Sequence, residues 1–180
     1  MSVRDHVVLM AAYNKWMNVR LYAAAGRLSA QELLADRKAF FGSITGTLNH
    51  IVVGDTIWLK RFAAHPANHV ALDPVRQLQA PSSLDQVLFA DFVSLANHRK
   101  MLDHVIRQWA ESLTEQDFGH VLRYANTKGV VSNRRFSRLV MHFFNHQTHH
   151  RGQATTLLFQ AGQDVGVTDL LAVIPDESDA

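Results

Sequence analysis

Residues 142–162 read HFFNHQTHHRGQATTLLFQAG, a stretch that holds four of the 11 histidines in the 180-residue chain. On a helical wheel with about 100° per residue, these four imidazoles fall within roughly a quarter of the circumference. Phenylalanine and leucine side chains flank them, so much of the helix surface is apolar. The pattern predicts a long, mostly buried helix from an N-cap at Asn133 to Gly162, with one histidine-bearing face. The four histidines are His142, His146, His149 and His150.

Three other long segments upstream also repeat apolar residues every three or four positions, which is typical of amphipathic helices. At about 1.5 Å per residue, each predicted helix is roughly 30–45 Å long. Four helices of this length with apolar stripes predict an all-α fold, a four-helix bundle. The upstream segments run from about Arg4 to Arg27, from Phe41 or Ser43 to Ala64, and from a cap at Ser82 or Ser83 to about Leu113.

The stretch between the third and fourth predicted helices has the pattern of a small β-hairpin. Apolar residues at 121, 122 and 124 precede the turn sequence NTKG at 126–129, and two valines follow it. No repeat and no low-complexity tract interrupts the chain, and its length is that of one domain. We therefore expect a single domain over residues 1–180.

The composition excludes several kinds of site. The chain has no cysteine, which excludes disulfides, thiolate zinc sites, iron–sulfur clusters and cysteine nucleophiles, so any metal must bind nitrogen and oxygen ligands. Lysine and arginine total 18 against 16 acidic residues, a net charge of only +2. The densest basic run, Arg134, Arg135 and Arg138, is interpreted as a solvated helix face, and no nucleic-acid partner is expected.

The chain contains no pattern that predicts a targeting or membrane segment. Its first residues, MSVRDHVVLMAAYNKW, mix charged and apolar side chains, and no run of about 18 apolar residues follows. We therefore expect a soluble, cytoplasmic protein with no membrane partner.

The histidine-bearing face predicts a metal site. Histidines at positions i and i+4 of a helix point both imidazoles to one side, as a helix does when it supplies two ligands to one metal. The competing interpretation, a solvated histidine-rich face, fits poorly with the flanking Phe143 and Phe144, since unpaired imidazoles in an apolar setting are costly. The best third ligand is His50, which lies mid-way along an apolar helix with Gly46 and Gly54 one turn to either side.

Three histidines and a water form the open kind of site that is typical of catalytic zinc. Asp55 is the nearest carboxylate, but it lies about 140° around the helix from His50. It is therefore a poor fourth ligand, and we expect it to be a structural partner or to support a ligand. A zincin mechanism is rejected because Gln147 stands where that motif has its glutamate base. An acid–base residue would have to be His149, His142, Tyr13 or a residue of another helix, and the sequence does not choose among them.

The segment quoted above resembles the signature of the DinB family, also called DinB/YfiT-like. GTLNHIVVGDTIWLKRF at 46–62, YNKWMNVRLY at 13–22 and DLLAVIP at 169–175 extend the resemblance over almost the whole chain. Its most specific part is the H-x-x-x-H-R-G-Q element combined with a lone mid-helix histidine about a hundred residues upstream. Carried over by position, the family's three metal ligands fall on His50, His146 and His150.

The resemblance implies a bundle with up-down-down-up helix order, a homodimer, and a bound divalent metal, nickel or zinc. Relatives in the wider superfamily are transferases that use a low-molecular-weight thiol, so it implies thiol transfer or hydrolysis of a small-molecule substrate. The alternative is a non-catalytic stress- or DNA-damage-response protein in which the metal stabilises a structural dimer. Around the ligands, the sequence suggests a supporting shell of four residues: His142, His149, Asn14 and Arg151.

Overall fold

The computed structural model describes residues 2–176 and is mostly helical, with one small antiparallel sheet. The four longest helices carry most of the chain, and short helices and turns connect them. In chain order the elements are α1 (Val3–Ala25), α2 (Ala30–Leu34), α3 (Ile44–Phe62), α4 (Asp73–Arg76), α5 (Phe92–Ser112), β1 (Val121–Ala125), β2 (Val131–Arg135) and α6 (Phe136–Gln160).

The helix beginnings follow from side-chain caps, since the first N–H groups of a helix need acceptors. Ser2 and Asp5 form a reciprocal capping box at the start of α1, and Ser43 accepts from the Gly46 N–H at the start of α3. Asp91 caps α5 by accepting from the Ser94 N–H. Two of the four long helices, α1 and α3, therefore begin close to where the sequence predicts.

The predicted start of the third helix, at Ser82 or Ser83, is wrong by about ten residues. The segment after Pro81 forms turns, and the Asn49 side chain of α3 binds both the N–H and the carbonyl of Phe89. These bonds hold Phe89 against α3, so its N–H and carbonyl are not available for a helix. The Leu84 carbonyl of the same segment reaches the candidate site.

The predicted hairpin is confirmed, but Asn133 is not the N-cap of α6. It lies in β2, opposite Arg123 of β1, and Asn126 and Gly129 form the turn between the strands. The Gly129 φ of 78° lies in the left-handed region that favours glycine. α6 begins only at Phe136, whose N–H donates to the His120 carbonyl.

The core lies between the four long helices. α1 packs against α5 and α6, and α3 packs against α6. An aromatic cluster closes one end, where Phe62 stacks on Trp109 and meets Phe136 and Phe143 edge-on. These four side chains are fully or almost fully buried, so the contact between α3 and α6 is held firmly at this end. Within residues 2–176 no helix has both the length and the apolar character needed to cross a membrane.

Candidate metal centre

Three imidazoles from two helices meet at the candidate metal centre, which consists of His50 of α3 and His146 and His150 of α6. One ring nitrogen of each lies within 4.8 Å of the others, so one ion could contact all three. His50 is buried, whereas the other two are partly exposed. The site therefore has a solvent side, formed by α6, and a protein side, formed by α3.

Hydrogen bonds to backbone and side-chain oxygens set the tautomers of two of these rings. The Leu84 carbonyl oxygen lies 2.8 Å from His50 Nδ1, and Oε1 of Gln153 lies 2.7 Å from His150 Nδ1. Because a carbonyl oxygen only accepts, each Nδ1 carries the proton and each Nε2 presents a lone pair. Outer acceptors fix metal-binding histidines in the same way.

The two Nε2 atoms point at each other across 3.1 Å. Burial lowers the pKa of both His50 and His150, which favours the neutral rings. In neutral rings with their protons on Nδ1, the two lone pairs face each other with no hydrogen between them. Such an arrangement is repulsive in neutral imidazoles and becomes favourable when a cation lies between the nitrogens. The donor set therefore fits a divalent metal bound through nitrogen.

His146 of α6 completes the set, with its ring centroid 5.2 Å from that of His50 and 4.4 Å from that of His150. Burial, assisted by the neighbouring His150 and His50 rings, lowers the pKa of His146 to about 3. The ring is therefore neutral near pH 7, which is the form that binds a metal. Its edge rests directly on Gly54 of α3, so the expectation that this glycine makes room at the site is met. Gly46 instead fits against the Phe41 carbonyl.

Phe41 forms an apolar wall on the protein side of the centre. Its ring stacks on His50 with centroids 3.9 Å apart and meets His150 edge-on at 5.5 Å. The His50 ring is thus held between this stack and the Leu84 carbonyl. From the sequence, Phe41 was expected only as a possible start of the second helix, with no role at the site; it instead lies just before α3.

Of the four predicted supporting residues, His142 and His149 lie near the ligands. The His142 ring packs edge-on against Trp58 at 5.0 Å and lies 6.1 Å from the His146 ring. His149 contacts His150 edge-on at 4.8 Å. Both are exposed, and neither has a hydrogen bond to a ligand among the described residues. They border the centre on its solvent side.

Asn14 and Arg151 lie deeper, in a buried polar network. The Arg151 guanidinium donates to Oδ1 of Asn14, and Nδ2 of Asn14 donates to Asp103 of α5. Arg151 is 2% exposed and also lies over the Tyr13 ring. The two residues thus join α1, α5 and α6, and among the described residues their side chains have no hydrogen bond to the three histidines.

The centre of this network is an ion pair that the sequence analysis did not predict. The Arg99 guanidinium of α5 pairs with Asp55 of α3, and its second amino group lies 3.0 Å from Asp103. Gln147, which lies between the two α6 ligands, donates to Asp55 at 2.8 Å. All four side chains are almost completely buried. The sequence gives one sign of this ion pair: Asp55 is an acidic residue in a mostly apolar helix, so it needs a buried partner.

The network ties the ligand-bearing helices to the rest of the protein. Asp55 follows Gly54 in α3, and Gln147 follows His146 in α6, so their hydrogen bond holds the two helices together one residue from the contact of Gly54 with His146. Asp55 itself is therefore a structural partner and not a ligand.

Comparison with known proteins assigns the family. The model of the DinB family matches residues 1–177, almost the whole chain. The chain belongs to the DinB family. It is 24% identical over 165 residues to the protein DinB of Bacillus subtilis (strain 168), covering 92% of this chain and 91% of that protein. No solved structure matches the chain. The family membership expected from the sequence is confirmed.

This DinB-family chain has two adjoining cavities beside the centre. The smaller, of about 250 Å³, is lined by His146 and His142 together with Gly54, Trp58 and Arg61. The larger, of about 600 Å³, shares Trp58 and His142 with the first and extends towards the hairpin. A small molecule in these cavities would reach a ring of the candidate metal centre.

A second group of possible ligands lies at the other end of α3. His65, His69 and Asp117 place one ligand atom each within 4.8 Å of one another. However, both ring nitrogens of His65 are already engaged, one with the Ala67 N–H and the other with the Asp117 carbonyl. The engaged nitrogens of His65 make this group a poorer metal site than the first.

Proposed function

We propose that this DinB-family protein is a metal-dependent enzyme acting on a small molecule, with nickel or zinc held by His50, His146 and His150. The proposal depends on one observation: the Nε2 atoms of His50 and His150 lie 3.1 Å apart, while the Nδ1 atoms of the two rings donate to the Leu84 and Gln153 oxygens. A proton between the two nitrogens would also relieve the opposed lone pairs, but burial lowers the pKa of both rings and so disfavours the charged form, whereas a divalent cation satisfies both nitrogens at once.

The proposed reaction is thiol transfer or hydrolysis. A divalent cation with three imidazole ligands supplies Lewis-acid chemistry and leaves a coordination position for water or thiol. Since the chain has no cysteine, a reacting thiol must arrive as a low-molecular-weight cosubstrate or as part of the substrate.

Among the candidates for proton transfer, the geometry favours His142. It lines the same cavity as His146, so its ring can exchange a proton with a molecule bound there. The Tyr13 hydroxyl already donates to the Thr168 carbonyl, and its ring lies beneath Arg151. His149 is exposed and touches only the edge of His150.

The remaining expectations concern the helix order, the oligomeric state and the location of the protein. We propose that the four long helices form a bundle in up-down-down-up order, that two chains form a homodimer, and that the protein acts in the cytoplasm. Light scattering coupled to size exclusion measures the mass in solution. A mass near 40 kDa supports the dimer, given 20.3 kDa per chain, and a mass near one chain contradicts it.

The metal is tested on protein purified without an affinity tag. Elemental analysis is expected to find about one nickel or zinc ion per chain, and none in His146→Ala. The metal-loaded protein is then assayed for thioether formation between a small thiol and chlorodinitrobenzene, and for hydrolysis of nitrophenyl acetate. We expect one of the two rates to fall at least tenfold in His146→Ala. Protein that takes up no metal would overturn the proposal.

The same samples distinguish the proposed enzyme from the non-catalytic alternative. A protein that binds the metal, gains thermal stability from it and accelerates neither reaction would support a structural role in a stress or DNA-damage response. A fourth protein ligand, seen by X-ray absorption as a closed coordination shell, would support it further.

A further inference from the structure

The larger cavity beside the candidate metal centre is unusually basic. It lies between the hairpin and α6, has a volume of about 600 Å³, and is lined by Arg134, Arg135 and Arg138 together with Trp58 and Tyr124. No acidic side chain is among its lining residues. Three arginines in one concavity stand out in a chain whose net charge is only +2.

A fourth cation lies at the boundary between this cavity and the smaller one. The Arg61 guanidinium lies 4.6 Å from the centre of the Trp58 ring and 4.9 Å from that of Tyr124. These aromatic faces hold the guanidinium in place without neutralising it. Arg61 also lines the smaller cavity with His146.

None of these four arginines has an ion-pair partner within residues 2–176. Of their side chains, only Arg135 has a hydrogen bond there, to the Gly119 carbonyl. By contrast, the buried Arg99 pairs with Asp55, the buried Arg151 donates to Asn14, and Arg76 and Arg107 pair with acidic neighbours. The guanidinium groups of the cavity therefore keep most of their donors for an external acceptor.

One face of α6 connects the basic cavity to the candidate metal centre. Arg138, His142 and His146 follow one another at intervals of four residues on α6, so they share one face of the helix. Eight residues along a helix span about 12 Å. A small molecule with a charged group near Arg138 could therefore place its other end at the His146 ring.

We propose that the basic cavity binds the anionic end of the substrate, a small molecule carrying carboxylate or phosphate groups at the end remote from its reacting atom. The part that concerns the reacting atom rests on the proposed function. Anion binding itself follows from the cavity and its unpaired guanidinium groups, and holds with or without a metal.

A small molecule fits these features better than a nucleic acid. Nucleic-acid interfaces present basic residues along an extended stripe or face, to follow a chain of phosphates. Here the arginines line one concave volume of a size typical of small-molecule sites. Trp58 and Tyr124 add apolar walls for the uncharged part of such a ligand.

The test measures anion binding to the metal-free protein by calorimetry at low ionic strength. The probes are succinate, adipate and inorganic phosphate, with succinamide as the uncharged match for succinate. We expect the anions to bind and succinamide not to bind. A preference for phosphate over the dicarboxylates, or the reverse, identifies the anionic group that the cavity selects.

Variants then locate the binding. Arg138→Gln and Arg134→Gln should each raise the Kd at least tenfold, since a charge-assisted hydrogen bond is lost. Arg107→Gln, an equally conservative change at an exposed α5 residue outside the cavity, should leave the Kd unchanged. Circular dichroism confirms that each variant is folded, and elemental analysis after metal loading shows whether the metal centre is intact.

Several results would overturn the inference. These are equal binding of succinate and succinamide, an equal loss in Arg107→Gln, or the absence of anion binding in the folded wild type. Tighter binding of a short single-stranded DNA than of any dianion, with affinity falling steeply as salt rises, would instead assign the arginines to nucleic acid. If anions bind but the protein takes up no metal, the proposed function fails while the anion site stands.

Discussion

Gly54 of α3 and His146 of α6 approach each other so closely that even a methyl group does not fit between them. A Cβ added to Gly54 would lie 2.6 Å from Cε1 and 3.2 Å from Nδ1 of the His146 ring. The His146 ring can therefore keep its position only because residue 54 of the facing helix is a glycine.

We expect Gly54→Ala to lower the affinity for nickel or zinc at least tenfold, because the His146 ring must move away from its partners. Titration of the metal-free protein with each ion measures the affinity. Gly152→Ala is the matched control, since nothing lies within 4 Å of the Cβ it would add to α6. Unchanged metal affinity in Gly54→Ala would show that the ring position is not needed.

Gln153→Ala is expected to weaken metal binding by about tenfold, as the loss of an outer hydrogen-bond partner of a ligand does. The Gln153 oxygen lies 2.7 Å from His150 Nδ1 and keeps the lone pair on Nε2. Competition against a chelator of known affinity measures the change. If the variant binds as tightly as the wild type, the proposed role of this hydrogen bond is wrong.

The two histidine groups can be told apart by metal stoichiometry. His146→Ala should lose the bound ion, whereas His69→Ala should retain it, because His65 in the second group has both ring nitrogens engaged. Elemental analysis of dialysed protein counts the ions. An ion retained in His146→Ala and lost in His69→Ala would move the metal site to the other end of α3.

Asp55→Asn should destabilise the fold by about 3 kcal/mol, since removing one partner of a buried ion pair leaves the other charge poorly compensated. Arg99 would keep only Asp103, and Gln147 would lose its charged acceptor. Urea unfolding of metal-free protein measures the free energy. Asp36→Asn, which breaks the exposed pair with Lys38, should cause no measurable change.

Asp103 is expected to make stability depend on pH. Burial raises the pKa of Asp103 to about 6, although the Arg99 charge opposes this. Between pH 4 and pH 6 the folded protein thus holds a proton that the unfolded chain has released, so this residue's contribution to stability is full below pH 4 and is lost as pH rises through 6.

The corresponding measurement compares wild type with Asp103→Asn. The difference in unfolding free energy, wild type minus variant, should fall between pH 4 and pH 6 by up to about 3 kcal/mol. A difference that stays constant or rises over this range would contradict the raised pKa.

The sequence predicted the helical nature of the fold because the relevant signals are local. Apolar spacing and serine caps are properties of neighbouring residues, and α1 and α3 begin close to the predicted positions. The start of α5 could not be predicted in this way. Ser82 and the polar residues after it are typical of a helix start. In the structure, however, the Asn49 side chain of α3 binds the N–H and carbonyl of Phe89, and α5 begins only after this residue.

In the candidate site, too, the features set by local sequence were predicted and those set by packing between helices were not. Spacing alone put His146 and His150 on one face of α6, and the lone His50 on an apolar helix, which are facts of helix geometry. The pairing of Asp55 with Arg99, which itself pairs with Asp103 one turn further along α5, was not predicted, because these are ordinary charged side chains until α3 and α5 pack together.

By itself, then, the sequence determined which helix faces carry imidazoles, that no cysteine competes for a metal, and that a hairpin precedes the last helix. Only the tertiary structure decided how the rings are protonated and how closely they meet. The reason is that every residue has a backbone carbonyl, so the sequence does not show which one reaches the site. The position of the Leu84 carbonyl depends on the path of a loop. The close contact of Gly54 with His146 likewise exists only once α3 and α6 have packed.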